Sequence, residues 1–134
     1  MIGVLVVTHG SIGEALLTSA GQILGVPPQQ VATLSVWRQD DPDDLVLRAR
    51  ELMERIDADD GVLVLTDIFG ATPGNVVSRL LEDGRVEGVS GASLPMLLRV
   101  LTGRNGSLSA AVQRALSGGA EGVVHMNNDR CLDA

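Results

Sequence analysis

The chain opens on an unbroken apolar run over residues 4–7, VLVV, which stops abruptly at residues 8–11, THGS. A short continuous run of aliphatic residues, rich in β-branched ones, predicts a strand buried on both faces. Such strands belong to parallel sheets, whose ligands gather beyond the carboxyl ends of the strands. The pattern therefore predicts that His9 lies at the sheet edge where such folds carry out their chemistry.

Apolar runs alternate with patterns of helical period along the rest of the chain, which predicts an α/β fold with a doubly wound, mostly parallel sheet. We expect strands over residues 2–8, 31–37, 62–66, 86–89 and 122–126. We expect helices over residues 12–24, 42–56, 73–82, 94–102 and 108–117. The length of 134 residues predicts a single domain over residues 1–134.

Local signals define where several of these helices begin and end. Ser11 and Glu14 have the spacing of a capping box, in which each side chain bonds a free N–H of the first turn. Thr72 is expected to be the N-cap of the third helix. Gly118 and Gly119 are expected to end the last helix, because glycine commonly follows a helix C-terminus.

Composition excludes several classes of partner. The net charge is −7, all ten basic residues are arginine, and none of them cluster. Neither nucleic acid nor an anionic membrane surface is therefore an expected partner. The apolar runs are of strand length, so no direct membrane insertion is expected. The lone Cys131, interpreted as incidental, indicates a reducing compartment and a cytoplasmic location.

Two strand ends carry side chains that can act together. His9 ends the first strand and Asp67 ends the third, so the two meet if those strands are neighbours. A carboxylate bonded to one ring nitrogen fixes the tautomer and leaves the other nitrogen as a nucleophile. The simpler interpretations are a polar loop histidine and a carboxylate that caps a turn. His125 is interpreted as structural, within the last strand.

A pocket of phosphate size is expected around this pair. Gly10 and Gly70 permit close approach of the backbone, and helix N-termini direct free N–H groups at an anion. The residues expected to bind a phosphoryl group are Gly10, Ser11, Thr66, Gly70, Ala71 and Thr72. The sequence contains no Walker lysine motif, dinucleotide fingerprint, paired cysteines or zinc-binding helix motif, so we expect no cofactor and no metal.

Three segments together resemble one known family. Residues 2–10, IGVLVVTHG, residues 67–75, DIFGATPGN, and residues 89–97, VSGASLPML, are similar to segments of the mannose-family IIA proteins of the bacterial phosphoenolpyruvate:sugar phosphotransferase system. Two positions depart from the family pattern. Ala71 replaces a second glycine, and Ser93 stands where the family often has asparagine.

The resemblance implies a phosphotransferase that works through a phosphohistidine. His9 would accept a phosphoryl group from the histidine phosphocarrier protein and pass it to a IIB component, with Asp67 as the partner of His9. The implied sheet has an antiparallel edge strand, supplied by residues 121–126 and exchanged in a homodimer. An exposed apolar strand gains stability by such pairing.

Two alternatives to sugar transport stay open. The chain is then either a regulatory phosphorelay protein or the phosphoryl donor domain for dihydroxyacetone kinase, although that donor usually has several fused domains. For docking of the carrier we expect an apolar centre framed by Ile12, Phe69 and Met96, with an acidic rim. In a simpler interpretation, Phe69 fills the core beneath its loop.

Overall fold

The structure, a computed structural model that describes residues 1–129, contains one parallel sheet of four strands. The strands are β1 (Gly3–His9), β2 (Val31–Val36), β3 (Val62–Thr66) and β4 (Val86–Ser90). Their order across the sheet is β2-β1-β3-β4, and every neighbouring pair is parallel. The parallel α/β fold predicted from the alternating pattern is therefore confirmed. Cys131 lies outside the described residues.

Five helices cover the two faces of the sheet. They are α1 (Ile12–Leu24), α2 (Pro42–Ile56), α3 (Thr72–Ser78), α4 (Leu94–Leu101) and α5 (Leu108–Glu121), followed by a short 3-10 turn at Met126–Asn128. Within residues 1–129, none of the helices combines the length and the apolar character needed to cross a membrane.

Each face of the sheet buries its own aliphatic core. On one face, α2 and α3 pack on strand residues such as Leu5, Val7 and Val64. On the other, α1, α4 and α5 pack on alternate residues such as Val4 and Leu63. Because both faces of β1 and β3 are covered, these central strands need the continuous apolar runs seen in the sequence.

The start of α1 is capped differently from the expectation. Ser11 is the N-cap residue, but its side chain makes no capping hydrogen bond, so the predicted Ser11–Glu14 capping box is wrong. The hydroxyl of Thr8, a buried residue of β1, instead accepts a hydrogen bond from the Gly13 N–H at 2.8 Å. Strand β1 therefore satisfies a free donor of the helix that follows it.

Helix α3 is also shorter than predicted. It ends at Ser78 rather than at residue 82. It begins at Thr72 with Ala71 as the N-cap residue, so the expected N-cap role of Thr72 is wrong. The chain then makes a tight reversal, in which Glu82 and Val86 exchange two backbone hydrogen bonds of 2.8 and 3.0 Å. Gly84 permits this reversal with a φ of 78°.

The predicted end of the last helix is wrong. Helix α5 continues through Gly118 and Gly119 to Glu121. A Cβ placed on Gly118 would lie 3.0 Å from Cβ of Arg99 and 3.2 Å from Cα of Met96, both in α4. Gly118 therefore lets α5 pack closely against α4, and it does not terminate the helix.

The strand predicted over residues 122–126 does not form within the described chain. These residues follow α5 as exposed chain and then enter the 3-10 turn. His125 is accordingly exposed, with Nδ1 3.1 Å from Nδ2 of Asn128, and it lies in no strand of the single chain. A single chain cannot pair this segment with a second copy, and the antiparallel exchange stays a prediction.

Candidate functional site

The topology brings His9 and Asp67 together at the carboxyl edge of the sheet. β1 and β3 are adjacent parallel strands, with Val7 opposite Thr66, so the residues that follow emerge side by side. Oδ2 of Asp67 lies 2.9 Å from Nδ1 of His9 and accepts a second hydrogen bond from the His9 backbone N–H at 3.1 Å. The predicted meeting of these two side chains is confirmed.

This contact defines which ring nitrogen is available for chemistry. An ionised carboxylate only accepts hydrogen bonds, so Nδ1 of His9 carries the proton and Nε2 keeps its lone pair. The His9 side chain is 46% exposed, whereas that of Asp67 is 9% exposed. The buried carboxylate therefore orients a half-exposed ring that an incoming group can reach.

The environment of Asp67 favours the carboxylate form. Burial by itself raises the pKa of Asp67, but hydrogen bonds from the His9 ring and from nearby backbone N–H groups lower it, as does the positive charge that the His9 ring bears when it is protonated. The net result is a pKa below the ordinary aspartate value. Oδ1 also accepts a hydrogen bond from the Ile68 N–H at 3.1 Å. Asp67 is therefore held ionised beside the ring.

The loop after β1 is tied to β2. The Gly10 N–H donates to the Val36 carbonyl at 2.9 Å, and Gly10 has a φ of 49°. A Cβ built on Gly10 would lie 3.2 Å from Cζ3 of Trp37. A larger residue at position 10 would thus meet both backbone strain and the indole ring.

The loop after β3 presents apolar side chains to solvent. Ile68 is 56% exposed and Phe69 is 83% exposed. The interpretation of Phe69 as a core residue is therefore wrong. Met96, expected to frame the pocket, is itself buried in the core against α1 and α5. Of the expected apolar frame, Ile12 and Phe69 reach the surface.

The six residues expected to bind a phosphoryl group fall into two sets. The accessible set lies on the loops that follow β1 and β3 and at the start of α3, and it consists of Gly10, Ser11, Gly70, Ala71 and Thr72. Thr66 differs, because it is 3% exposed and its buried hydroxyl has no hydrogen-bond partner. Thr66 lines a cleft of about 350 Å³ between α3 and α5, so the structure does not place its hydroxyl at the surface around His9.

Trp37 and Ile68 are neighbours of the site that the sequence pattern did not indicate. Trp37 directly follows Val36, which lies opposite His9 in the register of β1 and β2. Its position at a strand end was visible in the sequence, but the strand pairing was needed to place it beside Gly10. Among residues 1–129, no group of three or more His, Cys, Asp or Glu side chains is arranged to hold a metal ion.

Comparison with known sequences identifies relatives over most of the chain. Residues 3–116 match the family EIIA-man, described as PTS system fructose IIA component. The mannose-specific EIIAB component of the PTS system of Escherichia coli K12 is 30% identical over 125 residues, which cover 91% of this chain and 38% of that protein. The fructose-specific EIIA component of Bacillus subtilis 168 is 33% identical over 103 residues, covering 76% of this chain and 70% of that protein.

Comparison with solved structures agrees with the comparison of sequences. The crystal structure of the phosphotransferase system component EIIA from Streptococcus agalactiae superposes with a TM-score of 0.82 at 27% identity, covering 96% of this chain and 99% of that one. The chain spans only 38% of the length of the Escherichia coli relative, so it corresponds to one part of that larger protein. On the family match and these relatives, the chain belongs to the mannose family of IIA components of the phosphotransferase system.

Proposed function

We propose that the chain is a phosphoryl carrier of a sugar phosphotransferase system. In this proposal His9 accepts a phosphoryl group from the histidine phosphocarrier protein and passes it to a IIB component, in the cytoplasm and without a cofactor. The whole chain, residues 1–134, acts as one IIA-type domain. The observation that carries the proposal is the distance of 2.9 Å between Nδ1 of His9 and Oδ2 of Asp67 at an exposed sheet edge.

The chemistry requires a nucleophile and a nearby negative charge. The lone pair on Nε2 of His9 attacks the phosphorus of the phosphohistidine on the carrier, forming a new N–P bond. The N–P bond on the carrier breaks, and its electron pair returns to the carrier imidazole. Nδ1 keeps its proton, so the His9 ring becomes positively charged, and the Asp67 carboxylate stabilises that charge. Transfer to a IIB histidine repeats the step with His9 as the leaving group.

The surroundings of His9 suit the phosphoryl oxygens. The hydroxyl of Thr8 accepts the Gly13 N–H, but the other N–H groups of the first turn of α1 have no intrahelical acceptor, and the helix dipole favours an anion at that end. Gly10 and Ser11 directly follow His9, and Gly70, Ala71 and Thr72 follow Asp67 along the chain, all with small side chains. We propose that these backbone groups and hydroxyls receive the phosphoryl oxygens. Thr66 is left out of this set, since its hydroxyl is buried.

The names of the relatives support a phosphoryl relay that ends on a sugar, but they do not identify that sugar. One relative is named mannose-specific and another fructose-specific, at 30% and 33% identity. The proposal therefore extends to a sugar as the final acceptor of the relay, and to no particular sugar. A regulatory relay and a donor for dihydroxyacetone kinase use the same first step on His9, and they differ only in the acceptor.

A labelling experiment with a matched control tests the proposal. The protein is incubated with phosphoenolpyruvate, enzyme I and the phosphocarrier protein, and the label is mapped. The chain has two histidines, so His125→Ala is the control for His9→Ala. We expect label on wild type and His125→Ala, acid-labile and base-stable, and none on His9→Ala. Undiminished labelling of His9→Ala overturns the proposal.

A second stage of the same experiment identifies the acceptor. Labelled protein is mixed with purified IIB proteins, and loss of label from His9 is followed. Transfer to a IIB protein supports the sugar relay. Stable label on His9 in the presence of every IIB protein tested contradicts transport and favours the regulatory alternative.

We also propose that two copies assemble through the end of the chain. Val123 is 85% exposed and Met126 is 75% exposed, although both follow a well-packed helix. β4 is an edge strand, and beside it the cleft between α3 and α5 exposes Leu81 and Leu116. Pairing residues 121–126 of one copy with β4 of another would cover both apolar surfaces and satisfy the strand edge.

A further inference from the structure

A tryptophan lies beside the proposed phosphorylation site without a role in the core. Trp37 follows β2 at the same sheet edge as His9, since Val36 lies opposite His9. Its backbone is fixed, because its N–H donates to Oδ2 of Asp40 at 2.8 Å and its carbonyl accepts from the Asp40 N–H at 3.0 Å. The indole is therefore held on a short, pinned turn next to the loop that carries Gly10.

The exposure of this ring is unusual for its residue type. Tryptophan is highly buried on average, yet Trp37 is 52% exposed. Part of the ring rests against Gly10, where a Cβ would lie 3.2 Å from Cζ3 of Trp37. One side of the indole thus covers the backbone next to His9, and the rest faces solvent. Exposed aromatic side chains on rigid supports are typical anchors of protein interfaces.

The charges near Trp37 indicate what kind of partner fits. Asp40, Asp41 and Asp44 line a shallow cavity of about 340 Å³ at the start of α2, together with the basic Arg48, and the exposed Arg38 directly follows Trp37. Asp43 also lies there, but it pairs with Arg79 at 2.8 Å. On the opposite side of His9, residues 68–72 have no charged side chain. Apart from Asp67 itself, the acidic residues of these two loops therefore lie on the Trp37 side, where the three carboxylates outnumber Arg38 and Arg48.

We propose that Trp37 and this acidic turn, Asp40, Asp41 and Asp44, form the contact that receives a basic side chain of the phosphocarrier protein. A guanidinium or ammonium group placed over the indole gains a cation–π contact and the field of the carboxylates together. Trp37 acts as a docking and specificity residue, and the chemistry stays with His9 and Asp67. This inference rests on the proposed function, because it names where the carrier binds.

The single tryptophan permits a direct test on the intact protein. Fluorotryptophan incorporated at position 37 gives one fluorine NMR signal that belongs to this chain alone. Titration with unlabelled phosphocarrier protein is expected to shift or broaden that signal as the complex forms. A Trp37→Ala variant is expected to raise the KM for the carrier about fivefold or more, with kcat little changed.

Charge variants separate the acidic turn from a general charge effect. Asp44→Asn removes a carboxylate that caps no backbone group, and it is expected to slow association about twofold or more at low salt. Asp83→Asn, on the turn before β4 at the opposite end of the sheet, makes the same charge change as a control. The control is expected to leave association with the carrier unchanged.

The outcomes distinguish the inference from the proposed function. If His9 of the wild-type protein carries no label at a saturating concentration of the phosphocarrier protein, the proposed function is wrong. Normal labelling of His9 with an unshifted Trp37 signal at saturating carrier overturns the inference and leaves the function intact. Equal slowing by Asp44→Asn and Asp83→Asn also overturns it. If Trp37→Ala fails to fold, the fluorine titration of wild type decides alone.

Discussion

Oδ2 of Asp67 lies 2.9 Å from the ring Nδ1 of His9 and 3.1 Å from its backbone nitrogen. The second contact ties the carboxylate to the last residue of β1, so the ring and its partner are positioned by the same strand end. A carboxylate held in this way needs no rearrangement when positive charge develops on the ring. The pair is therefore preorganised for attack through Nε2.

Replacing this carboxylate by an amide is expected to slow phosphorylation without unfolding the chain. Asp67→Asn keeps the size of the side chain and an oxygen acceptor, but it removes the charge that stabilises the ring after attack. Groups in this role contribute ~10²–10⁴ in rate. Rapid-mixing measurement of label on His9 tests the prediction. Transfer at the wild-type rate would show that the two residues are not coupled.

The same carboxylate links stability to pH. Its pKa is lowered in the folded state, so its ionised form stabilises the fold. This contribution is complete above the unfolded aspartate pKa of about 3.9 and is lost as pH falls through the lower folded value. The free energy of unfolding should therefore favour wild type over Asp67→Asn at neutral pH, and the difference should shrink below about pH 4. Urea unfolding at several pH values checks this. A difference unchanged down to about pH 3 contradicts it.

The sheet and the central pair were predictable because their signals are local. Buried parallel strands need continuous apolar runs, and the run at residues 62–66 matches β3 residue for residue. Because parallel strands end at the same edge of a sheet, His9 and Asp67 could be predicted to meet without knowledge of side-chain geometry. β1 is shifted by one residue at both ends relative to the expectation, and β2 ends one residue earlier.

The errors arose where one residue type has two physical uses. Glycine ends helices, but Gly118 instead permits close contact between α5 and α4. Serine often caps helices, but at the start of α1 the side chain of Ser11 makes no capping bond. The hydroxyl of Thr8 in the preceding strand accepts the free N–H of Gly13 instead. Trp37 was missed because its position beside Gly10 depends on the pairing of β2 with β1. Such choices depend on tertiary contacts that sequence spacing does not encode.

The packing of Gly118 predicts a large difference between two glycine substitutions. Gly118→Ala places a methyl group 3.0–3.3 Å from Cβ of Arg99 and from backbone atoms of α4, so the two helices must separate. Overpacking of this kind costs ~1–3 kcal/mol of unfolding free energy. Gly106→Ala is the control, because its Cβ would meet only the Ala110 Cβ, at 3.8 Å. Denaturant unfolding of both variants measures the difference, and equal stabilities would contradict the packing argument.

The proposed exchange predicts that the oligomeric state depends on residues beyond α5. The full chain is expected to be a homodimer, and a chain truncated after Glu121 is expected to be a monomer, since α5 ends there. Val124→Asp is a milder variant that places a charge in the proposed strand pairing and should also favour the monomer. Light scattering at micromolar concentration distinguishes the states. A dimer that survives truncation, or a monomeric full chain, would refute the exchange.

Phe69 is predicted to act on the lifetime of partner complexes. Its side chain is 83% exposed on the loop that follows Asp67, so replacement by alanine removes little core packing. We therefore expect Phe69→Ala to keep the wild-type melting temperature. An aromatic anchor acts mainly on dissociation, so the variant should release the phosphocarrier protein faster, with a loss of ~1–3 kcal/mol in binding.

The salt dependence of binding separates the contribution of Phe69 from that of the exposed acidic residues. Exposed charges are screened beyond ~8 Å at physiological ionic strength, so raising salt should slow association several-fold in wild type and in Phe69→Ala alike. Surface plasmon resonance at two salt concentrations measures both rates on both proteins. Ile23→Ala, near the C-terminal end of α1 and 60% exposed, is the control for loss of an exposed apolar side chain. An unchanged dissociation rate in a folded Phe69→Ala variant would rule out the anchor, and a salt-independent association rate would rule out the acidic rim.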